Sequence, residues 1–164
     1  GEYPVLLADP PWRYDFAQDS AGRAIENQYP TMAIEDILAL QVPCAPNAVL
    51  FLWVPSPKLP QGLNVLSAWG FEYKTCMVWV KDKIGMGYYA RQQHELLLIG
   101  ARGSLPTPQP TVRPSSVISA PRLAHSHKPT VVYELIEAMY PEYPRCELFA
   151  RSQRPGWESW GNQL

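Results

Sequence analysis

The chain has 164 residues, of which 46% are hydrophobic and 18% are charged. This length and mixture fit one globular domain with a sizeable core and exclude a disordered chain. The longest apolar run, Ala48 to Val54, has the length of a strand and falls far short of the roughly 20 residues of a membrane span. The net charge of −1 excludes a general basic field around the molecule.

Cysteine and histidine usage argues against disulfides and metals. The cysteines are odd in number and widely spaced, and the histidines match no standard metal-site spacing. No basic-then-apolar targeting segment opens the chain, so a reducing cytoplasm is the expected compartment, with no membrane contact. The residues concerned are Cys44, Cys76, Cys146, His94, His125 and His127.

The predicted elements of the first half alternate between strands and helices. Apolar runs predict strands, and apolar residues at helical spacing predict helices. Thr31 is the expected cap of the first helix, and Gly70 the expected end of the second. In chain order the predictions are strand Pro4 to Ala8, helix Thr31 to Leu40, strand Ala48 to Val54, and helix Lys58 to Trp69.

The second half continues the alternation. Pro129 suits the first turn of a helix, which Val132, Leu135, Ile136 and Met139 continue at helical spacing. The tail after Phe149 is expected to fold back over the sheet edge. The predicted strands are Tyr73 to Val80, Glu95 to Gly100, Val117 to Ser119, and Arg145 to Phe149. The pattern predicts a single α/β domain with a mostly parallel sheet and ligands at the carboxyl ends of its strands.

The first predicted strand ends in Asp9-Pro10-Pro11-Trp12. The tetrapeptide suits an exocyclic amine of a flat base, because the Asp9 carboxylate and the Pro10 carbonyl would each accept one of its N–H groups. The prolines fix the backbone that holds these acceptors, and Trp12 would offer a flat face to the base. The alternative is a plain strand followed by a proline turn.

Motifs in a fixed order along the chain resemble one family. The tetrapeptide resembles the catalytic motif of the family named after the 70-kilodalton catalytic subunit of the messenger-RNA adenosine methyltransferase. Similar matches follow almost to the end of the chain: Tyr29 to Met32, Leu50 to Val54, Val78 to Lys81, Glu95 to Gly100, Ser126 to Pro129, Glu147 to Arg151, and Gly161 to Leu164. The resemblance implies a Rossmann-like methyltransferase fold with a permuted motif order, and S-adenosylmethionine as cofactor.

The resemblance also implies roles for individual residues. Asp9, Pro10, Pro11 and Trp12 would be catalytic. Asp9 and Lys128 would lie near the cofactor, while Arg151 and Asn162 would contact its ribose with Gln163 beside them. Tyr29, Trp79, Lys81 and Glu95 would form the substrate side.

Two features depart from the family pattern. The chain begins after the strand that, in long members, supplies an acidic contact to the cofactor's adenine. Gln153-Arg154 stands where the family has a His-Asn pair. Both departures concern cofactor affinity.

The stretch from Lys83 to Lys128 is locally basic. It carries six basic residues against one acidic residue, Glu95. The pattern is typical either of a phosphate-contacting surface or of a solvated loop region. The basic residues are Lys83, Arg91, Arg102, Arg113, Arg122 and Lys128.

The resemblance predicts methylation of the exocyclic amine of adenine in nucleic acid, with DNA as the first substrate and RNA as the alternative. A non-catalytic nucleic-acid-binding partner of the same fold and a protein-amide methyltransferase are the other candidates. The intact Asp9-to-Trp12 tetrapeptide disfavours both. The sequence leaves open whether the chain forms a homodimer or joins a partner subunit.

Overall fold

The computed structural model describes residues 1–13, 31–123 and 127–161. These residues form one seven-stranded sheet with the order β5-β3-β4-β2-β1-β6-β7. The strands are β1 (Tyr3–Ala8), β2 (Cys44–Val54), β3 (Glu72–Val80), β4 (His94–Arg102), β5 (Val117–Ser119), β6 (Arg145–Leu148) and β7 (Trp157–Trp160). Every strand except β4 runs in the same direction, so the predicted mostly parallel sheet is confirmed.

Helices cover both faces of the sheet. The described ones are α1 (Ile34–Leu38), α2 (Leu59–Ala68) and α3 (Val131–Met139), with short 3-10 turns at Ser56–Lys58 and Pro110–Val112. Successive strand residues point to opposite faces. Leu6 and Ala8 of β1 therefore join the core under α1 and α2, whereas Val5 and Leu7 join the core under α3. None of the described helices combines the length and apolar character needed to cross a membrane.

Several predicted boundaries differ from the structure, and β2 begins at Cys44, four residues before the predicted Ala48. Thr31 does not cap α1, which begins at Ile34 after Ala33. Its hydroxyl instead accepts a hydrogen bond from the Nε of Arg13 at 3.1 Å. The third helix starts at Val131, two residues after Pro129. The tail does not fold over the sheet edge, because Trp157–Trp160 extends the sheet by pairing in parallel with β6. The expected end of α2 is confirmed, since Gly70 follows it with a φ of 88°.

Trp12 anchors the turn that follows β1. Its side chain is 8% exposed. Its indole Nε1 donates a hydrogen bond to the Trp53 carbonyl on neighbouring β2 at 3.1 Å. The backbone of the same turn is tied to the next described segment, because the amide of Met32 donates to the Pro11 carbonyl at 3.0 Å. The turn therefore has a defined shape before any ligand binds.

Replacing Trp12 tests this anchoring role. Trp12→Phe keeps an aromatic ring but leaves the buried Trp53 carbonyl without its donor. Leaving a buried polar group unsatisfied costs about 1–3 kcal/mol, so the free energy of unfolding should fall by roughly 2 kcal/mol. Denaturant unfolding measures it. An unchanged free energy would show that the indole hydrogen bond does not hold the turn.

Candidate active site

The candidate site lies at the edge where the parallel strands end. β2 and β6 flank β1 on opposite sides, and the chain order changes direction there. In open α/β sheets such a switch point forms a crevice at the carboxyl ends of the strands. Asp9 directly follows β1 and Phe149 directly follows β6, so both residues border this crevice. Glu95 reaches the same edge because β4 is reversed and pairs its first residues with Trp79 and Val80 at the end of β3.

Four charged side chains meet at this edge. The Glu95 carboxylate binds two ammonium groups: its Oε1 lies 2.9 Å from Nζ of Lys128, and its Oε2 lies 2.8 Å from Nζ of Lys81. Lys128 also contacts Oδ2 of Asp9 at 3.6 Å. The side chains are between 14% and 20% exposed, so water screens them only in part. Two negative and two positive charges make the group neutral. We call Asp9, Lys81, Glu95 and Lys128 the charge cluster.

The groups around Asp9 have opposite effects on the pKa of its carboxyl group. Burial raises the pKa of Asp9 above its ordinary value, and the ammonium of Lys128 counteracts that rise. The neighbouring negative charge of Glu95 raises the pKa further, and Arg151 lowers it. Because the net shift is upward, the ionised form that can accept a hydrogen bond depends on Lys128 and Arg151.

Glu95 is held in its charged form. Burial by itself raises the pKa of Glu95, but the charge of Lys128 and the hydrogen bond from Lys81 outweigh burial, and the pKa falls below its ordinary value. An ionised Glu95 positions both lysines at the edge. Lys81 also lies 5.0 Å above the ring of Trp79, and Lys128 lies 5.6 Å from the ring of Trp53. Each lysine therefore makes a cation–π contact with a tryptophan ring.

A cleft of about 190 Å³ opens beside Asp9. Its walls come from the end of β1, the start of α3, and the turn after β6. Phe149 makes that turn with a φ of 63°, and its amide donates to the Trp160 carbonyl at 2.7 Å. The lining combines two carboxyl groups, cations and hydroxyl groups: Asp9, Leu123, His127, Lys128, Thr130, Tyr133, Glu147, Phe149, Arg151 and Ser152.

Glu147 is a buried carboxyl group in the wall of this cleft. It is 8% exposed, and the hydroxyl of Tyr133 donates to its Oε2 at 2.6 Å. Burial raises the pKa of Glu147 to about 7, and the hydrogen bond from Tyr133 opposes that rise. Burial also raises the pKa of Tyr133, so its hydroxyl stays a donor. Glu147 was not among the predicted site residues, although an acidic residue near the carboxyl end of a predicted strand was a usable signal.

The predicted site residues divide into groups. Asp9, Lys81, Glu95 and Lys128 come together, and Arg151 lines the adjoining cleft. Pro10 and Pro11 are buried in the turn after β1. The Pro10 carbonyl accepts the amide of Trp12 at 2.8 Å and keeps a second lone pair. Tyr29, Asn162 and Gln163 lie outside the described residues.

Two tryptophans differ from their predicted roles. Trp79 is 1% exposed, and its indole donates to the Ala120 carbonyl at 2.9 Å, so it packs beneath Lys81 and has no surface for a substrate. Trp12 was expected to offer a flat face to a base. Its indole is almost wholly in the core, where it anchors the turn after β1.

The basic stretch does not form one surface. Arg102 ends β4 opposite Ala48, at the far end of the strand from Glu95. Arg113 lines a separate, mostly apolar cavity with Ala48. In contrast, Lys83 and Arg91 belong to the connection between β3 and β4 at the site edge. The prediction of a single phosphate-contacting surface is therefore wrong for Arg102 and Arg113.

Glu147 makes stability depend on pH. Its pKa rises from 4.5 to about 7 in the folded protein, so the folded state keeps a proton that the unfolded state has lost within that range. Stability contributed by this group is present below pH 4.5 and is lost as the pH rises through 7. Relative to the wild type, Glu147→Gln should gain up to about 3 kcal/mol in the free energy of unfolding between pH 4 and pH 8.

Denaturant unfolding at the two pH values checks this expectation. Glu158→Gln, at an exposed position of β7, is the matched control and should change the free energy of unfolding by less than about 0.5 kcal/mol. If the free energy of unfolding of Glu147→Gln differs from that of the wild type by the same amount at both pH values, the raised pKa of Glu147 is contradicted.

Comparison with known proteins agrees with the geometry. The MT-A70 family model matches residues 3–163. A type II methyltransferase, M.MunI from a Mycoplasma species, is 32% identical over 99% of this chain and 78% of its own length.

Eukaryotic relatives match over a smaller part of their length. An N(6)-adenosine-methyltransferase MT-A70-like protein of Drosophila melanogaster is 33% identical over the whole chain, which spans 27% of that protein. The human N(6)-adenosine-methyltransferase catalytic subunit METTL3 is 30% identical over the whole chain, which spans 28% of it. The match to the family model covers nearly the whole sequence, including all four residues of the charge cluster, and the chain belongs to the MT-A70 family of methyltransferases.

Proposed function

We propose that this chain transfers a methyl group from S-adenosylmethionine to the exocyclic amine of an adenine in DNA. The observation that carries the proposal is the largely buried carboxylate of Asp9, which belongs to the charge cluster and also lines the cleft. DNA is favoured over RNA because M.MunI aligns over 78% of its length, whereas the adenosine methyltransferases align over little more than a quarter of theirs.

The cleft has the donors and acceptors that the cofactor needs. S-adenosylmethionine carries a carboxylate, an ammonium group and ribose hydroxyls. Arg151 and Lys128 supply positive charge, and Asp9 and Glu147 supply acceptors. Glu147 and Tyr133 lie in the same wall of the cleft and share a hydrogen bond. The Glu147 carboxyl group is therefore suited to accept hydrogen bonds from the ribose hydroxyls. These residues would hold the cofactor, which when bound supplies a methyl group activated by a positive sulfur.

The chain's own contribution is to prepare the amine. The lone pair of an adenine amine is delocalised into the ring, so the amine is a weak nucleophile. Asp9 accepts one N–H, and the free lone pair of the Pro10 carbonyl is suited to accept the other. These two acceptors localise the lone pair and fix its direction. The new N–C bond would form as the bond from the methyl carbon to the cofactor's sulfur breaks, and the electron pair of that bond would stay on the sulfur, which becomes neutral. The amine nitrogen would then carry the positive charge, and the Asp9 carboxylate would stabilise that charge and take up the surplus proton.

The remaining members of the charge cluster help to keep the Asp9 carboxyl group ionised. Lys128 opposes the upward shift of the pKa of Asp9. Glu95 holds Lys128 in place, and its bond to Lys81 leaves neither carboxylate oxygen without a cation. Glu95 and Lys81 thereby form the side of the site on which the substrate base is expected. Among the described residues, no group of three or more His, Cys, Asp or Glu is placed to hold a metal ion.

Substitution of Asp9 tests the function. Asp9→Ala should lower turnover by roughly 10²-fold or more, as loss of a preorganised electrostatic contact does, while cofactor binding declines less. Radiolabelled methyl transfer should be measured on single-stranded DNA, matched duplex DNA, RNA and protein. Asp36→Ala, on the exposed first turn of α1, is the matched control and should keep wild-type turnover.

A stacked base cannot reach Asp9, so single-stranded adenine should be methylated at least as fast as adenine in a matched duplex. Wild-type turnover by Asp9→Ala, or labelling of protein alone, would overturn the proposal. Faster labelling of RNA than of DNA would show that RNA is the preferred substrate and would leave the proposed reaction unchanged.

Substitution of Lys128 tests the electrostatics. Lys128→Met removes the cation that holds down the pKa of Asp9, so that pKa should rise. The acidic limb of the turnover–pH profile, measured at saturating cofactor and DNA, should therefore move to higher pH. Lys74→Met, whose lysine pairs with Glu72 on the exposed part of β3, should leave the profile unchanged. An unmoved acidic limb in Lys128→Met would show that Lys128 does not set the ionisation of Asp9.

A further inference from the structure

The connection between β3 and β4 exposes an unusual amount of apolar surface. Of the eight large hydrophobic side chains that are exposed among the described residues, four lie between positions 84 and 89. Tyr88 is 95% exposed and Tyr89 is 107% exposed. We call residues 84–89 the hairpin tip. Ile84 and Met86 complete its apolar surface.

The hairpin tip is ordered by its own backbone. The amide of Gly85 donates to the Gln92 carbonyl at 2.7 Å, and the amide of Gln92 donates to the Met86 carbonyl at 2.9 Å. At Gly87 the backbone approaches the Ala90 carbonyl oxygen so closely that no side chain fits there. The Gln92 side chain also accepts a hydrogen bond from the Ser56 hydroxyl at 2.6 Å. The tyrosines are therefore presented by a shaped loop.

The connection that contains the hairpin tip begins and ends next to two residues of the charge cluster, Lys81 and Glu95. The amide of Lys81 donates to the Gln93 carbonyl at 2.8 Å, which closes the stem of the loop. Lys81 and Glu95, which the stem joins, hold each other at 2.8 Å. Tyr88 and Tyr89 follow Lys81 by seven and eight positions, so both lie within about 29 Å of the candidate site.

The charge of the loop suits a polyanion. Residues 83–93 include Lys83 and Arg91 and contain no Asp or Glu. Arg91 is exposed, and its Nη1 donates to the Gly87 carbonyl at 3.0 Å, which holds the guanidinium beside the tyrosines. The nearest carboxylate along the chain, Asp82, accepts the amide of Arg122 at 2.8 Å. Aromatic faces next to cations are the usual composition of a surface that binds single-stranded nucleic acid.

We propose that Tyr88 and Tyr89 stack on bases of the single strand that flank the target adenine, with Lys83 and Arg91 contacting the phosphates. The proposal rests on the proposed function, since it assigns the surface that holds the strand while its adenine is at Asp9. Stacking tolerates any base, because every base has a flat face. The hairpin tip thus supplies affinity without selecting a sequence.

The competing occupant is a second copy of this chain. Exposed tyrosines also occur at protein interfaces. The absence of carboxylates from residues 83–93 favours a polyanion, because two copies meeting through this loop would bring like charges together.

Binding of an oligonucleotide without adenine tests the proposal independently of methyl transfer. The probe is a fluorescein-labelled oligothymidylate of about 12 nucleotides, followed by fluorescence anisotropy with the wild type and the variants. Because the stacking of two bases would be lost, Y88A/Y89A should weaken binding at least about thirtyfold. Y88F/Y89F keeps both rings and should bind within about twofold of the wild type. Tyr73→Ala, at the far end of β3, is the matched control and should bind as the wild type does.

Salt dependence separates stacking from phosphate contact. The slope of log affinity against log salt concentration should be unchanged in Y88A/Y89A. It should become shallower by nearly one unit in Arg91→Gln, since one phosphate contact is lost. Arg102→Gln, at the opposite end of β4, should leave the slope unchanged.

Two results would overturn the assignment. Wild-type affinity of Y88A/Y89A for the oligothymidylate would remove nucleic acid as the occupant. Dissociation of a wild-type dimer by Y88A/Y89A in sedimentation, with unchanged oligonucleotide affinity, would identify a second copy instead. Failure of the proposed function is distinguishable, because it would appear as absent methylation of adenine-containing DNA while oligothymidylate binding still depended on the two tyrosines.

Discussion

The structure depends on the mutual neutralisation of four charges at one edge of the sheet. Asp9, Lys81, Glu95 and Lys128 come from four separate segments, and each is at most one fifth exposed. Removing a charge from water is costly unless an opposite charge stands nearby, and loss of one partner leaves another uncompensated. The sheet must therefore bring the ends of β1 and β3, the beginning of β4 and the segment before α3 to one place. Two of the four residues, Asp9 and Lys128, also line the adjoining cleft and contribute to its polarity.

Much of the fold follows from local patterns. The apolar runs predicted β1, β5 and the ends of β2 and β6 closely, because buried parallel strands read as short continuous apolar stretches. The direction of β4 was not predictable in this way, since a strand has the same pattern in either direction. Glu95 appeared to be an ordinary residue at a strand end until the reversal of β4 placed it between Lys81 and Lys128. The family resemblance, and not the pattern, drew attention to it.

The predictions that failed concern relations across the sheet. Trp12 and Trp79 occur in motifs next to the site, but burial is decided by what packs against a residue, and both indoles satisfy buried carbonyl groups. The basic stretch looked continuous along the chain. Seven residues of extended strand separate Glu95 from Arg102, a distance of about 24 Å, so neighbours in sequence lie at opposite ends of the sheet. Glu147 was overlooked because the buried position of its carboxyl depends on Tyr133, which belongs to another element.

One reversed strand connects these observations. A parallel β4 would need a long crossover from β3, with the connection leading away from the site edge. Because β4 is antiparallel to β3, the two are joined by a hairpin that must project from the edge where β3 ends. The same reversal brings Glu95 between the two lysines, and the connection that carries the exposed Tyr88 and Tyr89 starts and ends at the same edge of the sheet. A change of direction in one strand thus supplies both a member of the charge cluster and an exposed aromatic surface, without adding a domain to the sheet.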